Sequence, residues 1–160
     1  MHKPCRVLVT GAGSGVGQGI VKALRISELP VTIVSADIST MNPALYRTDE
    51  SILIPRVESE GSLVKVEELL CSHKIDVVMI GSEFDLKFFS EHKEYIERKT
   101  GVLIIVAPLE TVKIADDKWL TAEFLRKNHL PYAEAHLPQG YAEAEYIANE
   151  WGYPIVLKTR

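Results

Sequence analysis

The residues best suited to chemistry in the first third of the chain form a glycine-rich loop, Thr10-Gly11-Ala12-Gly13-Ser14-Gly15-Val16-Gly17. Glycines permit a tight turn, and a helix that begins at such a turn presents free backbone N–H groups to an anion. The strict G-x-G-x-x-G dinucleotide pattern is not met, because Val16 stands where the third glycine would be. The loop predicts a strand-to-helix turn, and both phosphate binding and a turn without a ligand stay open.

A second set of residues, Ser82, Tyr95 and Lys99, suggests proton transfer, because a neighbouring lysine can lower the pKa of a tyrosine acid. Together with the spacing of Gly11, Gly15 and Gly17, it resembles the short-chain dehydrogenase/reductase family. In that alternative, an NAD(P)-binding protein, Asp37 would hold an adenosine ribose.

Two features argue against the reductase alternative. Ser82 follows the fourth predicted strand, about one strand–helix unit too early, and Ile80-Gly81-Ser82-Glu83 replaces the Asn-Asn-Ala-Gly expected there. The simpler interpretation places Tyr95 on the apolar stripe of a helix and Lys99 as a cation in its last turn.

Lys118 and Lys158 are the candidates for binding a polyphosphate. An ammonium about 4 Å from a phosphate charge contributes roughly 4 kcal/mol at an effective dielectric near 20. Lys158 ends an apolar run that is predicted to be a strand, and a charge on a buried strand is costly unless an anion lies near it. For Lys118 the alternative is a solvated cation beside Asp116 and Asp117 in the first turn of a helix.

The elements that must position these residues alternate between strands and helices over the first 113 residues. Short runs rich in Val and Ile are typical of buried parallel strands. The predicted strands are Arg6–Thr10, Val31–Ala36, Ile52–Ile54, Ile75–Ile80 and Val102–Val106. Helical spacing predicts crossover helices around 16–24, 63–70 and 87–100, the last ended by Gly101. We therefore expect an α/β, Rossmann-like parallel sheet with helices on both faces.

From residue 114 onward this alternation is interrupted. Asp116-Asp117 is predicted to open a helix that stops before Pro131, and a second helix runs from about Ala142 to Trp151. Tyr153–Lys158 is predicted to be a strand. A strand that ends the chain without a partner leaves backbone groups unpaired, so we expect a piece of a longer protein.

Two stretches of the second half resemble the ATP-grasp superfamily. The first stretch is Asp116–Leu125 with Asn128–Tyr132, in which an Asp-Lys pair opens a helix that ends in a turn with proline. The second stretch is Ile147–Lys158, which is predicted to contain a helix, a Gly-aromatic-Pro turn and a strand ending in lysine. By this resemblance residues 1–113 are a pre-ATP-grasp domain, and residues 114–160 are the truncated start of an ATP-grasp domain with its first α+β elements. Short sequence motifs, such as Asp37-Ile38-Ser39 and Ile54-Pro55, look most like those of proteins related to the carbamoyl phosphate synthetase large subunit.

The resemblance implies an ATP-dependent ligase that activates a carboxylate or bicarbonate as an acyl phosphate for attack by an amine. It implies ATP and Mg²⁺ as cofactors, with Lys118 and Lys158 on the ATP phosphates. Magnesium ligands are expected beyond residue 160, so we expect this piece alone to be inactive. The first domain is expected to contribute to acceptor binding, with Gly11, Gly13, Gly15 and Glu83 as candidates, although the preferred interpretation of Glu83 is a solvated loop carboxylate. A homodimer and a non-catalytic Rossmann-like interaction module stay open.

The amino-acid composition limits the classes of protein and of partner that fit these hypotheses. With 160 residues, 46% hydrophobic and 25% charged, the chain is a typical globular protein that can bury a core. A net charge of -4 without basic blocks argues against nucleic acid as a partner, and no apolar run is long enough to cross a membrane. Cys5 and Cys71 fit no zinc spacing, and reduced thiols predict a cytoplasmic location.

Overall fold

A computed structural model describes residues 4–158, and its first part is a five-stranded sheet. The strands are β1 (Cys5–Val9), β2 (Val31–Asp37), β3 (Glu50–Leu53), β4 (Val77–Met79) and β5 (Leu103–Ile105). The helices are α1 (Gly15–Ile26), α2 (Ser62–Ser72), α3 (Glu83–Thr100), α4 (Leu109–Asp116), α5 (Lys118–Lys127) and α6 (Tyr141–Trp151), with a short 3-10 helix at Pro43–Tyr46. Neighbouring strands are parallel throughout, in the order β3-β2-β1-β4-β5. The predicted fold class is confirmed.

Each face of the sheet has its own apolar core, because successive side chains of a strand point to opposite faces. Leu8 of β1 belongs to the larger core, which includes Val66 of α2 and Phe89 of α3. Val7 and Val9 belong to the smaller core, against the apolar residues of α1. The sheet is therefore covered on both faces, as the alternation of strands and helices predicts.

The strand order reverses between β1 and β4. The chain runs outward from β1 to β3 and then returns through α2 to β4, which pairs with β1 in the register Val7↔Val77 and Val9↔Met79. Two neighbouring strands whose connections leave in opposite directions open a crevice at their carboxyl ends, where ligands of open α/β sheets bind. Both α1 and α3 begin at this edge, so the glycine-rich loop and Ser82 lie there.

The chain divides into two compact units between Leu109 and Glu110, four residues before the predicted boundary at 113. The assignment of the second unit to the start of an ATP-grasp domain stays a prediction. Among its described residues, 110–158, only Val112 and Ala148 are buried.

The predicted strand at Tyr153–Lys158 does not form. This segment has no regular structure, and Val156 and Leu157 are 79% and 82% exposed. A strand exists only where a neighbour takes up its N–H and C=O groups, and no segment of the described chain pairs with it. The expectation that Lys158 ends a buried strand is therefore wrong, and its side chain is exposed.

Candidate functional site

Lys118 and Lys158 line the same cavity, which lies entirely within the second unit and has a volume of about 470 Å³. Small-molecule sites typically measure a few hundred to a thousand Å³ and combine apolar walls with a few polar groups. The walls here are largely apolar and include the aromatic rings of Trp119, Tyr132 and Trp151. The cavity thus joins two ammonium groups to aromatic surface, a combination suited to an anion attached to a flat ring.

The start of α5 determines where Lys118 stands. Asp117 occupies the N-cap position, and its Oδ1 accepts hydrogen bonds from the backbone N–H groups of Trp119 at 2.9 Å and Leu120 at 3.0 Å. Such a cap satisfies donors that the first helical turn leaves free. Lys118 is consequently the first residue of the helix, with Trp119 next to it on the cavity wall.

His136, which sequence reasoning did not single out, contacts side chains of both α5 and α6, two helices that line this cavity. Its Nε2 lies 3.1 Å from Oε1 of Glu143 in α6, and its ring meets that of Trp119 edge to face at 6.5 Å between centroids. The other oxygen of Glu143 accepts the Gln139 N–H at 2.7 Å. The Gln139 N–H and then His136 lower the pKa of Glu143. No spacing in the sequence signals this contact, because it joins side chains of different elements.

The N–H groups of the glycine-rich loop are largely engaged by the protein itself. Gly13 donates to Oδ2 of Asp37 at 3.3 Å, and Gly17 donates to the Ser14 hydroxyl at 2.9 Å. The Ser14 hydroxyl in turn donates to the carbonyl of Gly81. Asp37 also accepts a hydrogen bond from the side-chain amide of Asn42 at 2.7 Å, so its carboxylate joins Gly13 of the loop to Asn42. This favours the tight-turn interpretation of the loop over a phosphate cradle and gives Asp37 a structural task instead of a ribose.

The glycines at this edge allow backbones to pack closely. A Cβ on Gly17 would lie 2.3 Å from the Gly11 carbonyl oxygen, and a Cβ on Gly81 would lie 2.3 Å from the Thr10 carbonyl oxygen. Gly11 has a φ of +50°, and a Cβ there would meet that of Ser82 at 2.5 Å. Gly15, in contrast, has open space around it.

A second cavity, of about 320 Å³, opens at the carboxyl edge of the sheet within the first unit. Of the four predicted acceptor-site residues, Gly11 lines it, whereas Gly13, Gly15 and Glu83 are not among the lining residues. The three residues that surround Glu83 in sequence, Ser82, Phe84 and Asp85, do line it. The complete lining is Gly11, Ser14, Asp37, Ile38, Ile54, Arg56, Val57, Glu58, Ser82, Phe84 and Asp85.

Asp85 is one of two buried carboxyl groups in the lining of this cavity; 7% of its surface is exposed, against 8% for Asp37. Burial raises its pKa, a hydrogen bond from the Thr10 hydroxyl opposes the rise, and the charges of Glu58 and Asp37 add to it. In the sequence Asp85 stands three residues after Ser82 at a helix start, the S-x-x-D spacing of a capping box. That signal predicts a helix terminus but not a residue in a ligand cavity.

The three residues of the reductase alternative do not form a site. Ser82 immediately precedes α3, and Tyr95 lies thirteen residues further along the same helix. At 1.5 Å per residue the two are separated by about 20 Å, whereas proton transfer requires contact at about 3 Å. The reductase alternative is therefore not favoured, and Tyr95 and Lys99 are surface residues of α3.

The described residues contain no cluster of three His, Cys, Asp or Glu side chains that could hold a metal ion. The cavity of Lys118 and Lys158 offers only Glu134 and His136 as such donors. These residues do not fit a magnesium site by themselves, and the location of magnesium ligands beyond residue 160 stays a prediction. No helix within residues 4–158 has both the length and the apolar composition that a bilayer crossing requires.

Similarity to known proteins covers nearly the whole chain. Relatives include the carbamoyl phosphate synthase large chain of Thermotoga petrophila, 27% identical over 166 residues, and the arginine-specific large chain of Cutaneotrichosporon cutaneum, 23% identical over 169 residues. Each alignment covers 96% of this chain but only 15% and 14% of the relative. The chain thus spans about a seventh of the length of these relatives.

A solved structure with the same fold is N5-carboxyaminoimidazole synthetase from Staphylococcus aureus complexed with ADP, with a TM-score of 0.63 at 15% identity. It matches 93% of this chain, which covers 36% of that protein. The model of the PylC-like N-terminal domain matches residues 7–105, which include all five strands and α1 to α3. The resemblance to the N-terminal part of ATP-grasp proteins is confirmed, and the chain belongs to the family of PylC-like N-terminal domains.

Proposed function

We propose that this chain is the N-terminal part of an ATP-dependent ligase that converts a carboxylate or bicarbonate into an acyl phosphate for attack by an amine. The observation that carries the proposal is the shared cavity of Lys118 and Lys158. The relatives named carbamoyl phosphate synthase and the ADP complex of a structural neighbour support it.

The chemistry assigned to this chain is the binding of the nucleotide. In the complete reaction a carboxylate oxygen attacks the γ-phosphorus, ADP leaves, and the amine then displaces phosphate from the acyl carbon. The protein's task in phosphoryl transfer is mainly positioning and charge neutralisation. Lys118 and Lys158 would neutralise phosphate charge, and the rings of Trp119 and Trp151 would provide apolar surface for the base.

The exposure of both lysines sets the expected strength of binding. Solvent screens exposed charges, so each ammonium contributes less than it would in an enclosed site. Replacement of either lysine by methionine keeps the apolar stem and removes the charge. We expect Lys118→Met and Lys158→Met each to weaken ATP binding by on the order of tenfold. Lys127→Met, at the end of α5 and outside the cavity lining, is the matched control.

Lysine labelling followed by mass spectrometry tests the proposal directly. ATP with Mg²⁺ should slow the modification of Lys118 and Lys158, while Lys113 and Lys127 react at their usual rates, and NADH should protect neither member of the pair. If saturating ATP left both lysines as reactive as before, this chain would not hold the nucleotide through them. The acceptor, the cytoplasmic location and a homodimer remain parts of the proposal that need their own tests.

A further inference from the structure

The cavity at the carboxyl edge of the sheet has the position and size of a ligand site. It measures about 320 Å³ and lies in the crevice where the strand order reverses between β1 and β4. Open α/β sheets bind ligands at this point. The cavity belongs to the first unit and is separate from the cavity of Lys118 and Lys158.

The charges of this cavity are predominantly negative. Asp37, Glu58 and Asp85 contribute three carboxyl groups, and Arg56 contributes the one guanidinium group of the lining. The nearby N–H groups of Gly13 and Gly17 already donate to Asp37 and Ser14. A phosphate would meet three carboxyl groups against the single guanidinium of Arg56, so the charge of the lining favours a cation.

Asp85 retains unused capacity to accept hydrogen bonds. Its carboxyl group is bonded by the Thr10 hydroxyl, which itself accepts the Gly81 N–H at 3.4 Å. A carboxylate can accept about four hydrogen bonds, and one that is buried without a cation is energetically unfavourable. Within residues 4–158 no Lys, Arg or His forms an ion pair with Asp85. An ammonium group would supply both the missing donors and the missing charge.

Apolar side chains complete the lining beside these carboxylates. Phe84 is 72% exposed although it is aromatic, and it borders the cavity next to Asp85. Ile54 and Val57 provide aliphatic surface from the β3–α2 connection. An aromatic ring attracts a cation over its face, and apolar walls favour a hydrocarbon body.

We propose that this cavity binds a small molecule with a protonated primary amine on an apolar body, and that Asp85 and Glu58 hold the ammonium group. Its identification with the amine acceptor of the ligase rests on the proposed function, whereas the binding itself does not. The site would then hold the acceptor on the first unit while the nucleotide binds to the second.

NMR titration of the ¹⁵N-labelled 160-residue chain tests this proposal with n-pentylammonium as the probe. We expect saturable shifts of the amides of Gly11, Ser82 and Asp85. Pentanoate, which has the same apolar body and the opposite charge, and inorganic phosphate should leave these amides unchanged. Saturable binding of either anion at these residues, or no saturable shift with the amine, would overturn the proposal.

Two substitutions identify the carboxylates involved. Asp85→Asn keeps an oxygen that can accept from Thr10 and removes the charge, and we expect it to weaken amine binding by on the order of tenfold. Glu58→Gln should weaken binding in the same direction, and Glu60→Gln, an exposed neighbour outside the lining, should leave it unchanged. Undiminished binding by both Asp85→Asn and Glu58→Gln would refute their role.

The failure of this proposal can be distinguished from the failure of the proposed function. Lys118→Met and Lys158→Met should leave the amine-induced shifts intact, because those lysines belong to the other cavity. If the amine binds but ATP does not protect Lys118 and Lys158 from labelling, the amine site is supported and the ligase proposal is overturned. ATP protection without amine binding would do the reverse.

Discussion

Gly17 lies in the first turn of α1, where the helix touches the backbone of the glycine-rich loop. A methyl group at this position would stand 2.3 Å from the Gly11 carbonyl oxygen and 2.8 Å from Cα of Ala12. Backbone cannot move aside as a side chain can, so we expect Gly17→Ala to destabilise the fold by about 1–3 kcal/mol, the usual range for overpacking.

Gly19 provides the matched control for this prediction. It lies in the same helix with nothing within 4 Å of an added Cβ. Since alanine favours helix by up to about 1 kcal/mol over glycine, Gly19→Ala should be neutral or stabilising. Urea denaturation of the three proteins measures both effects, and equal stability of the two variants would show that the loop relaxes around the methyl group.

The pKa of Asp85 predicts a second effect at this scale. Burial and the charges of Glu58 and Asp37 raise the pKa of this carboxyl group above its ordinary value. At pH values between the unfolded and the folded pKa, the folded state therefore binds a proton that the unfolded state has released. Stability contributed by this group is therefore present at low pH and is lost as the pH rises from about 4 through the folded pKa.

Asp85→Asn tests this expectation because it keeps the shape of the side chain without its charge. The variant should have a higher midpoint of thermal unfolding than the parent chain at pH 7, and the difference should shrink toward pH 4. A midpoint lowered equally at both pH values would contradict the prediction, since it would mean that the substitution costs stability independently of the charge of Asp85. A gain in stability together with weaker amine binding is the pattern expected of a residue kept for its ligand.

At the scale of elements, the outer edge of β5 is protected by a side chain of α3. Leu103 donates its N–H toward the β4 side, to the Asp76 carbonyl, and the N–H of Ile104 donates to Oε1 of Glu97 at 2.8 Å. Lys93 lies 3.9 Å from the same carboxylate. Unpaired donors on an edge strand invite pairing with other chains, and a carboxylate that occupies such a donor prevents it.

Removal of this carboxylate should loosen the edge. We expect Glu97→Ala to cost about 1 kcal/mol of stability and to accelerate hydrogen exchange of the Ile104 amide. Glu94→Ala, on the exposed side of the same helix, should change neither quantity. Unchanged exchange at Ile104 in Glu97→Ala would mean that water replaces the carboxylate at no cost.

The elements differ in how well the sequence predicts them. The five strands and α3 with Gly101 at its end were predictable, because apolar runs and a C-cap glycine at φ +74° are local signals. The absence of the strand predicted at Tyr153–Lys158 could not be foreseen from this segment alone, because strand formation depends on a neighbour as well as on apolar residues.

The two sites show the same division. Lys118 was a candidate because an Asp-Lys pair at a helix start resembles the ATP-grasp pattern, and its role stays a prediction. The environments of Asp85 and His136 depend instead on contacts between different segments. Hydrogen bonds to Thr10 and Glu143 cannot be read from local spacing. The glycine-rich loop was located correctly, but the close backbone packing around Gly11 and Gly17 is visible only in the structure.

At the scale of the whole molecule, the two units differ in how much core each contains. Two clusters of buried residues lie on the faces of the sheet in the first unit, whereas α5 has no buried residue and α6 has Ala148 alone. Amides protected by a large core exchange only when the whole unit unfolds, and amides of poorly buried helices exchange by local opening.

We therefore expect native-state hydrogen exchange to divide the chain near Leu109 and Glu110. Amides of β1 and β4 should exchange on the order of a hundredfold more slowly than those of α5 and α6, a difference of about 3 kcal/mol in opening free energy. ATP with Mg²⁺ should slow exchange in α5 and α6 only, and n-pentylammonium should slow it only at the carboxyl edge of the sheet. Because each ligand should stabilise the unit that binds it, these two responses assign each site to its unit independently of any substitution. Equal protection of all helices in the free chain would contradict this expectation, since it would mean that the sparse core of the second unit is as stabilising as the double core of the first.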